Sequence, residues 1–336
     1  MRTGPNNSIL DVDGVLIGNA HDERVKSGVT VVLSDVPFTA GVHIMGGAPG
    51  TRETDLLDPA QTVDKVDALV LAGGSAFGLQ AAAGVQEVLY EQGRGFRVGD
   101  AAVPLVPAAI VFDLLNGGDK KWRGEPPYRG LGRKAAETVS DHGLCLGTIG
   151  AGFGATTAGL KGGLGSASEI AATGHRVGAL AIVNAIGSAT IGHGPHFWAA
   201  PFEVDGEFGG LGYPDDFAGA AALNTKGSAP HSGENTTIAI VATDAVLTKA
   251  EAKRVATMAH DGFARALWPS HTPYDGDLIF CMATGKKPLA NGPADILQIG
   301  AAAASTMARA VARGVYEAVE YPGDVMPVWK ARFGGR

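Results

Sequence analysis

Short apolar, β-branched runs recur along the chain at Gly28–Leu33, Ala68–Ala72, Ala179–Asn184, Thr237–Thr243 and Leu278–Ala283. Each has the length and composition of a strand. Between them the apolar positions switch to steps of three and four, the spacing of one helix face. Leu79–Tyr90 is rich in alanine, and Lys249–Leu267 carries Val255, Met258, Ala259, Phe263 and Leu267 on one side. Ala294–Val319 is longer still, with Pro293 placed where a first helical turn tolerates it. The polar, Pro- and Gly-rich stretch Asn116–Gly132 (NGGDKKWRGEPPYRGLG) is expected to be an exposed loop. Strands and helices interleave, no fixed-period repeat appears, and no shift in composition divides the chain. The pattern predicts one layered α/β domain over residues 1–336.

Composition sharpens this in one respect. Glycine makes up 50 of 336 residues, about twice the usual ~7%, so tight turns or close backbone approaches must be common. With 45% hydrophobic and 18% charged residues the chain is globular. A net charge of −7 with no basic stripe argues against a nucleic-acid partner. No apolar stretch reaches membrane-spanning length. The first residues, MRTGPNNSILDVDG, have no apolar segment of signal-peptide type, so the cytoplasm is the expected compartment. Cys145 and Cys281 each sit in an apolar run and read as small buried hydrophobes. Neither a disulfide framework nor a metal spacing is present.

Three glycine-rich features, two of them in one loop, compete for a chemical role. LAGGSAFGL (Leu71–Leu79) leaves a strand and opens a helix, an arrangement that can bind phosphate, but it matches no nucleotide fingerprint. GAGFGATTAGLKGGLGSAS (Gly150–Ser168) ends in GLGSAS, which resembles the phosphate loop of small-molecule kinases of the galactokinase–mevalonate kinase type. It lacks the proline and serine pair expected there, and tight backbone packing explains it equally well. Within it, Lys161 is either a solvated charge or an ammonium aimed at a site. Asn184 interrupts the run ALAIVNAIG, where its amide either caps a turn or points into a cleft. His193 and His196 have no third ligand at metal spacing, so no metal site is expected. No Ser-His-Asp triad can be assembled; GGSAF has Phe77 where a nucleophile elbow needs glycine.

The remaining feature is the junction HSGENTTIAIVATD, His231 to Asp244, where polar residues run straight into a strand. It is an ordinary polar loop entering a strand unless Thr236 does chemistry. A threonine hydroxyl can attack the preceding carbonyl, convert the peptide to an ester and, after hydrolysis, remain as a new N-terminus. Its own α-amine, with a pKa near ~8, then serves as the general base.

GENTTIAIVATDA resembles the self-cleavage site of the N-terminal-nucleophile aminopeptidases. That family includes the L-aminopeptidase/D-Ala-esterase/amidases, the β-aminopeptidases and the nylon-oligomer endohydrolases. DVDGVLIGNAHDE, LAGGSAFGL, GAGFGATTAGLKGGLGSAS, ALAIVNAIG and HTPYDGDLIFCMATG extend the resemblance in order along most of the chain. It implies a four-layer α-β-β-α sandwich, no cofactor, and a homo-oligomer acting on small peptides or amides. It implies cleavage between Asn235 and Thr236, giving subunits of residues 1–235 and 236–336. Thr236 would be the nucleophile, Lys161 and Asn184 would lie in the site, and Asp275 and Asp277 would orient the nucleophile. Asp275-Gly276-Asp277 resembles the nylon-oligomer version, whereas the aminopeptidases carry Ser-x-Glu. Phe112 stands where those nylon enzymes are expected to have a tyrosine, which removes a phenolic donor. Read without the resemblance, Asp-Gly-Asp is also a common turn. A self-processing amide hydrolase is therefore set against two alternatives, a small-molecule kinase using GLGSAS and a non-catalytic scaffold of the same fold.

Overall fold

The computed structural model describes residues 1–226 and 235–334, so His231 to Glu234 of the junction lie outside the described residues. In chain order the strands are β1 (Leu16–Asp22), β2 (Ser27–Ile44), β3 (Thr51–Arg52), β4 (Lys65–Ala72), β5 (Phe96–Val98), β6 (Ala101–Val103) and β7 (Ala108–Ile110). They continue with β8 (Gly163–Ile170), β9 (Arg176–Asn184), β10 (Thr236–Ala245) and β11 (Leu278–Lys287). The helices are α1 (Ala81–Glu91), α2 (Tyr128–Glu137), α3 (Lys249–Ala264), α4 (Pro293–Tyr316) and α5 (Trp329–Phe333). The main ladder runs β3-β7-β4-β2-β11-β10-β9-β8, with β1 also on β2; β5 and β6 form a separate hairpin.

One strand makes this ladder into two layers. Val29 to Leu33 of β2 pair with β4 and, on the other side, with β1; after a register shift, Thr39 to Ile44 pair with β11. Alternate residues of a strand face opposite ways, and the core divides accordingly. Val29, Val31, Ala68 and Val70 pack on Val85, Leu89, Leu131 and Ala135 of α1 and α2. Val32, Leu69 and Leu71 meet Leu180, Ile182, Ile238, Ile240 and Phe280 between the two halves. Ala179, Ala181, Ala239, Val241 and Cys281 face Val255, Phe263, Met307 and Val311 of α3 and α4. The layers are helix, sheet, sheet, helix. Because both faces of these strands are covered, they read in sequence as unbroken apolar runs.

All five expected strands and all three expected helices are present, with boundaries shifted by a few residues. Leu79 and Gln80 belong to a 3-10 turn, Ser75–Gln80, that leads into α1. Thr248 caps α3 through its hydroxyl, which accepts the Glu251 N–H, while the Glu251 carboxylate accepts the Thr248 N–H at 2.8 Å. No helix among the described residues is long and apolar enough to cross a membrane.

Three readings need correction. The end of Asn116–Gly132 is not loop but the start of α2, where Tyr128, Leu131 and Ala135 form a buried face hidden among polar and glycine residues. Cys145 is exposed, because the stretch around it forms no strand. GLGSAS is the buried strand β8 and not a phosphate loop. Its Gly165 lies where a β-carbon would sit 1.8 Å from the Ala310 carbonyl oxygen of α4, so the glycine serves close strand–helix contact. The kinase alternative loses its loop with that assignment.

The fully buried Arg309 of α4 ties the outer layer together. It donates to Glu207 at 2.5 and 3.0 Å, to Asn7 Oδ1 at 2.6 Å and to the Ser168 carbonyl at 2.8 Å. Arg309→Met should cost about 3 kcal/mol, because the buried Glu207 carboxylate then keeps only the looser pairing with Arg313 at 3.6 Å. Urea unfolding checks this, and adding Glu207→Gln should recover part of the loss.

Candidate active site

β10 runs antiparallel to β9 and parallel to β11, so the end of one strand and the beginnings of two others meet at one rim of the ladder. Thr236 opens β10 directly opposite Asn184, the last residue of β9. On the other side Asn235 bridges Asp275, which places the Asp275-Gly276-Asp277 loop alongside Asn235-Thr236. Thr236 continues the row of Ile238 and Ile240, which face the inter-sheet core, whereas Thr237 belongs to the row of Ala239 and Val241. Both threonines are buried, and the Thr237 hydroxyl has no hydrogen-bond partner among the described residues.

The Thr236 hydroxyl donates to the carbonyl oxygen of Asn235, immediately before it in the chain. That oxygen also accepts the N–H of Gly276 at 3.0 Å. The peptide group between Asn235 and Thr236 is therefore held against a hydroxyl and polarised by a backbone donor. Gly276 makes the approach possible: a β-carbon there would lie 2.8 Å from Thr236 Oγ1 and 2.7 Å from the Ala48 carbonyl oxygen. The loop is stapled from outside as well. Ala48 N–H donates to the Asp275 carbonyl at 2.8 Å, and Met45 and Gly46 N–H donate to that of Asp277 at 3.0 and 3.1 Å.

The two carboxylates have different partners. Asp277 Oδ1 accepts the Thr237 N–H at 2.7 Å, and its Oδ2 accepts the His271 N–H at 3.0 Å. Asp275 Oδ2 accepts the Thr272 N–H at 3.0 Å and its hydroxyl at 2.6 Å, while Oδ1 accepts the Ile186 N–H at 3.3 Å. Both side chains are buried. Burial first, and the neighbouring Asp277 charge second, push the Asp275 carboxyl above the usual carboxylate range.

Asn184 is fully buried and already engaged. Its Nδ2 donates to the Phe112 carbonyl at 2.8 Å, and its Oδ1 accepts from the Thr156 N–H at 3.0 Å and the Lys226 ammonium at 3.1 Å. Lys226 also donates to the Thr156 carbonyl at 3.1 Å. Phe112 thus contributes a main-chain acceptor. A cavity of about 190 Å³ opens beside this group, lined by Phe112, Leu115, Thr156, Lys226, Val325 and Met326 among others.

Lys161 carries its charge into an ion pair. Its buried ammonium donates to Asp324 Oδ2 at 2.5 Å and lies 5.8 and 5.7 Å from the ring centres of Phe153 and Tyr321. Lys26 holds the other Asp324 oxygen at 2.8 Å. Burial lowers the Lys161 pKa, with Asp324 opposing the shift. Burial pulls Asp324 upward, but the two lysines outweigh it and hold the carboxyl below the usual range. Lys161 reaches the remaining residues through Thr156, to which it is bridged along the backbone.

The structure therefore brings Thr236, Asn184, Asp275 and Asp277 to one rim, with Lys161 linked to Asn184 through Thr156. Sequence reasoning missed Thr156, Lys226, Asp324 and His271. Lys226 and Thr156 meet across 70 positions and Lys161 and Asp324 across 163, so no local spacing announces them.

Comparison with known proteins bears on the whole chain. Residues 7–326 match the model described as peptidase family S58. The chain is 42% identical to an uncharacterized aminopeptidase of Mycobacterium tuberculosis, with 98% of each covered. It is 27% identical to the 6-aminohexanoate-oligomer endohydrolase of Paenarthrobacter ureafaciens, covering 84% of this chain and 77% of that one. The solved L-aminopeptidase D-Ala-esterase/amidase of Ochrobactrum anthropi, described as a variant of the Ntn hydrolase fold, superposes with a TM-score of 0.69. It is 23% identical and the match covers 99% of this chain and 95% of that one, a likeness of fold.

Proposed function

Because the chain belongs to peptidase family S58, a hydrolytic enzyme of aminopeptidase or amidase type, we propose that it cleaves itself before Thr236 and then uses that threonine as an N-terminal nucleophile. The observation that carries this reading is the Asn235 carbonyl, which receives both the Thr236 hydroxyl and the Gly276 N–H. In self-cleavage, Thr236 Oγ1 attacks the Asn235 carbonyl carbon, and its proton passes to the Thr236 nitrogen as the C–N bond breaks. The Gly276 N–H stabilises the charge that develops on the oxygen, a role typically worth ~3 kcal/mol. Water then hydrolyses the ester, leaving a carboxylate on Asn235 and a free amine beside the Thr236 hydroxyl.

In turnover that amine takes the hydroxyl proton as Oγ1 attacks a substrate amide, and it returns the proton to the leaving amine. Water releases the acyl group by the same path in reverse. Asp277, already on the Thr237 N–H, is placed to orient the amine one residue earlier. Asn184, held by Phe112, Thr156 and Lys226, is placed opposite the nucleophile to position the oxyanion. Lys161, linked to Asn184 through Thr156, contributes positive charge.

The substrates are small peptides, amino-acid amides or ω-amino-acid oligomers, in keeping with the apolar walls that Phe112, Leu115, Val325 and Met326 give the cavity. The purified protein should hydrolyse at least one of L-alanine p-nitroanilide, β-alanine p-nitroanilide and 6-aminohexanoate oligomers. Hydrolysis of none of the three, by protein that has split before Thr236, would overturn the proposed substrate class.

A further inference from the structure

Three histidine rings, His260 buried and His43 and His271 half-buried, form a short file that ends at Asp277. His43 of β2 and His260 of α3 meet with ring centres 5.1 Å apart, and His260 meets His271 at 4.9 Å. Phe263 of α3 closes over His271 at 5.9 Å. His260 Nε2 donates to the His43 carbonyl at 2.9 Å, which leaves the lone pair of the neutral ring on Nδ1. Neither that atom nor His43 Nδ1 has a hydrogen-bond partner among the described residues.

His271 is the member that touches the site. Its main-chain N–H donates to Asp277 Oδ2 at 3.0 Å, and its ring Nδ1 lies 2.9 Å from the same oxygen. The contact has ion-pair distance without good hydrogen-bond alignment, since both ring nitrogens are buried atoms with no hydrogen-bond partner among the described residues. The backbone at His271 is left-handed, with φ +56, a conformation in which His, Asn and Asp are enriched and bulky side chains are strained. A residue held there by two contacts to one carboxylate oxygen, and walled in by two rings, has little freedom to release it.

We propose that His271 is a positioning residue that locks the Asp277 carboxylate in the one orientation from which it serves Thr236. The proposal rests on the reading of Asp277 as an orienting group for the nucleophile. Asp277 Oδ1 is committed to the Thr237 N–H, so whatever fixes Oδ2 fixes the whole carboxylate plane against the start of β10.

The surroundings leave His271 as the ring of the file that faces a carboxylate. The charged and titratable groups around His271 are Asp277 and Asp275 from its own loop, His260 from α3, and His43 from β2 beyond it. Burial, opposed by the His43 carbonyl, pushes His260 down to about 4. Burial, then the Lys253 charge, lowers His43. Those two rings are therefore neutral at neutral pH and act as packing, while His271 alone faces a carboxylate. Without its imidazole, the Asp277 carboxylate would stay buried with one partner fewer.

The test compares His271→Phe, which keeps a ring against His260 and Phe263, with His271→Asn, which keeps a donor and tolerates the left-handed backbone. Both are assayed on L-alanine p-nitroanilide, or on β-alanine p-nitroanilide if that is turned over faster, beside Asp277→Asn and with thermal unfolding recorded. His271→Phe should lower kcat roughly 10- to 100-fold and leave KM within about twofold. His271→Asn should regain most of the lost kcat. If Asp277→Asn loses its rate while folded His271→Phe keeps wild-type kcat, the positioning role is overturned and the site reading stands. Equal losses in both His271 variants would also overturn it, since a donor would then not be what matters. If Asp277→Asn keeps its rate, the reading of the site fails and the role of His271 falls with it.

Discussion

Thr236→Ala is expected to yield a single uncleaved chain with no amide hydrolysis, while wild type resolves into fragments of residues 1–235 and 236–336. Both losses follow from one atom, because the hydroxyl that donates to the Asn235 carbonyl is the only nucleophile touching the proposed cleavage peptide among the described residues. Thr237→Val provides the control. It removes a hydroxyl that is buried and without a hydrogen-bond partner among the described residues, so it should leave both cleavage and rate near wild type. Stability should hold or rise, since deleting an unsatisfied buried polar atom of this kind recovers its desolvation penalty, about 1–3 kcal/mol. Denaturing gels and intact-mass measurement read the outcome. Cleavage surviving in Thr236→Ala but lost in Thr237→Val would assign the chemistry to the wrong threonine.

Asp277→Asn should lower kcat by roughly 100-fold, with little change in KM, because an amide in that place can no longer hold the α-amine of Thr236 as an anion does. Asp275→Asn should be milder. Asp275 serves the Thr272 turn through Oδ2 and the Ile186 N–H through Oδ1; an amide oxygen can keep the Thr272 contacts and gives up only the longer one, at 3.3 Å. Asp275 also makes stability depend on pH. The Asp275 carboxyl is raised in the fold, first by burial and then by Asp277. The folded state therefore holds its proton more tightly, and stability is lost as pH rises from the ordinary carboxylate value, near ~4, through the raised one. Asp275→Asn should remove that loss. Wild-type kcat in both variants would leave Asp-Gly-Asp as a turn.

The layered architecture is legible in the sequence because every inner strand is covered on both faces, and an unbroken apolar run such as ALAIV at 179–183 has few other uses. The helices α3 and α4 announce themselves through Thr248 with Glu251 and through Pro293. β8 passes for a loop because its glycines suggest turns, whereas contact with α4 is what requires them. α2 is hidden by the prolines and glycines around its three-residue apolar face. Cys145 misleads because neighbouring leucines resemble a strand, yet only Leu146 and Leu144 reach the core, and only in part. For the site, Thr236, Asn184 and the Asp-Gly-Asp loop can be found from a resemblance and from chemistry. The partners that fix their state cannot. Asp324 turns Lys161 from a bare ammonium into half of an ion pair, and His271 and Lys226 meet the site through folding alone.

The order of strands decides how the two pieces would behave after a cut before Thr236. β10 and β11 would belong to the shorter fragment, yet they lie inside the ladder, bounded by β9 on one side and β2 on the other. The longer fragment would supply both borders. Such a pair is joined like a tenon in a slot: withdrawal would have to unzip two hydrogen-bonded seams and strip α3 from β2 and α4 from β8 and β9 at once. Scission there removes one covalent bond and almost no contact, so the fragments would remain one body, and the new chain end at Thr236 would be held as firmly as it was before the cut.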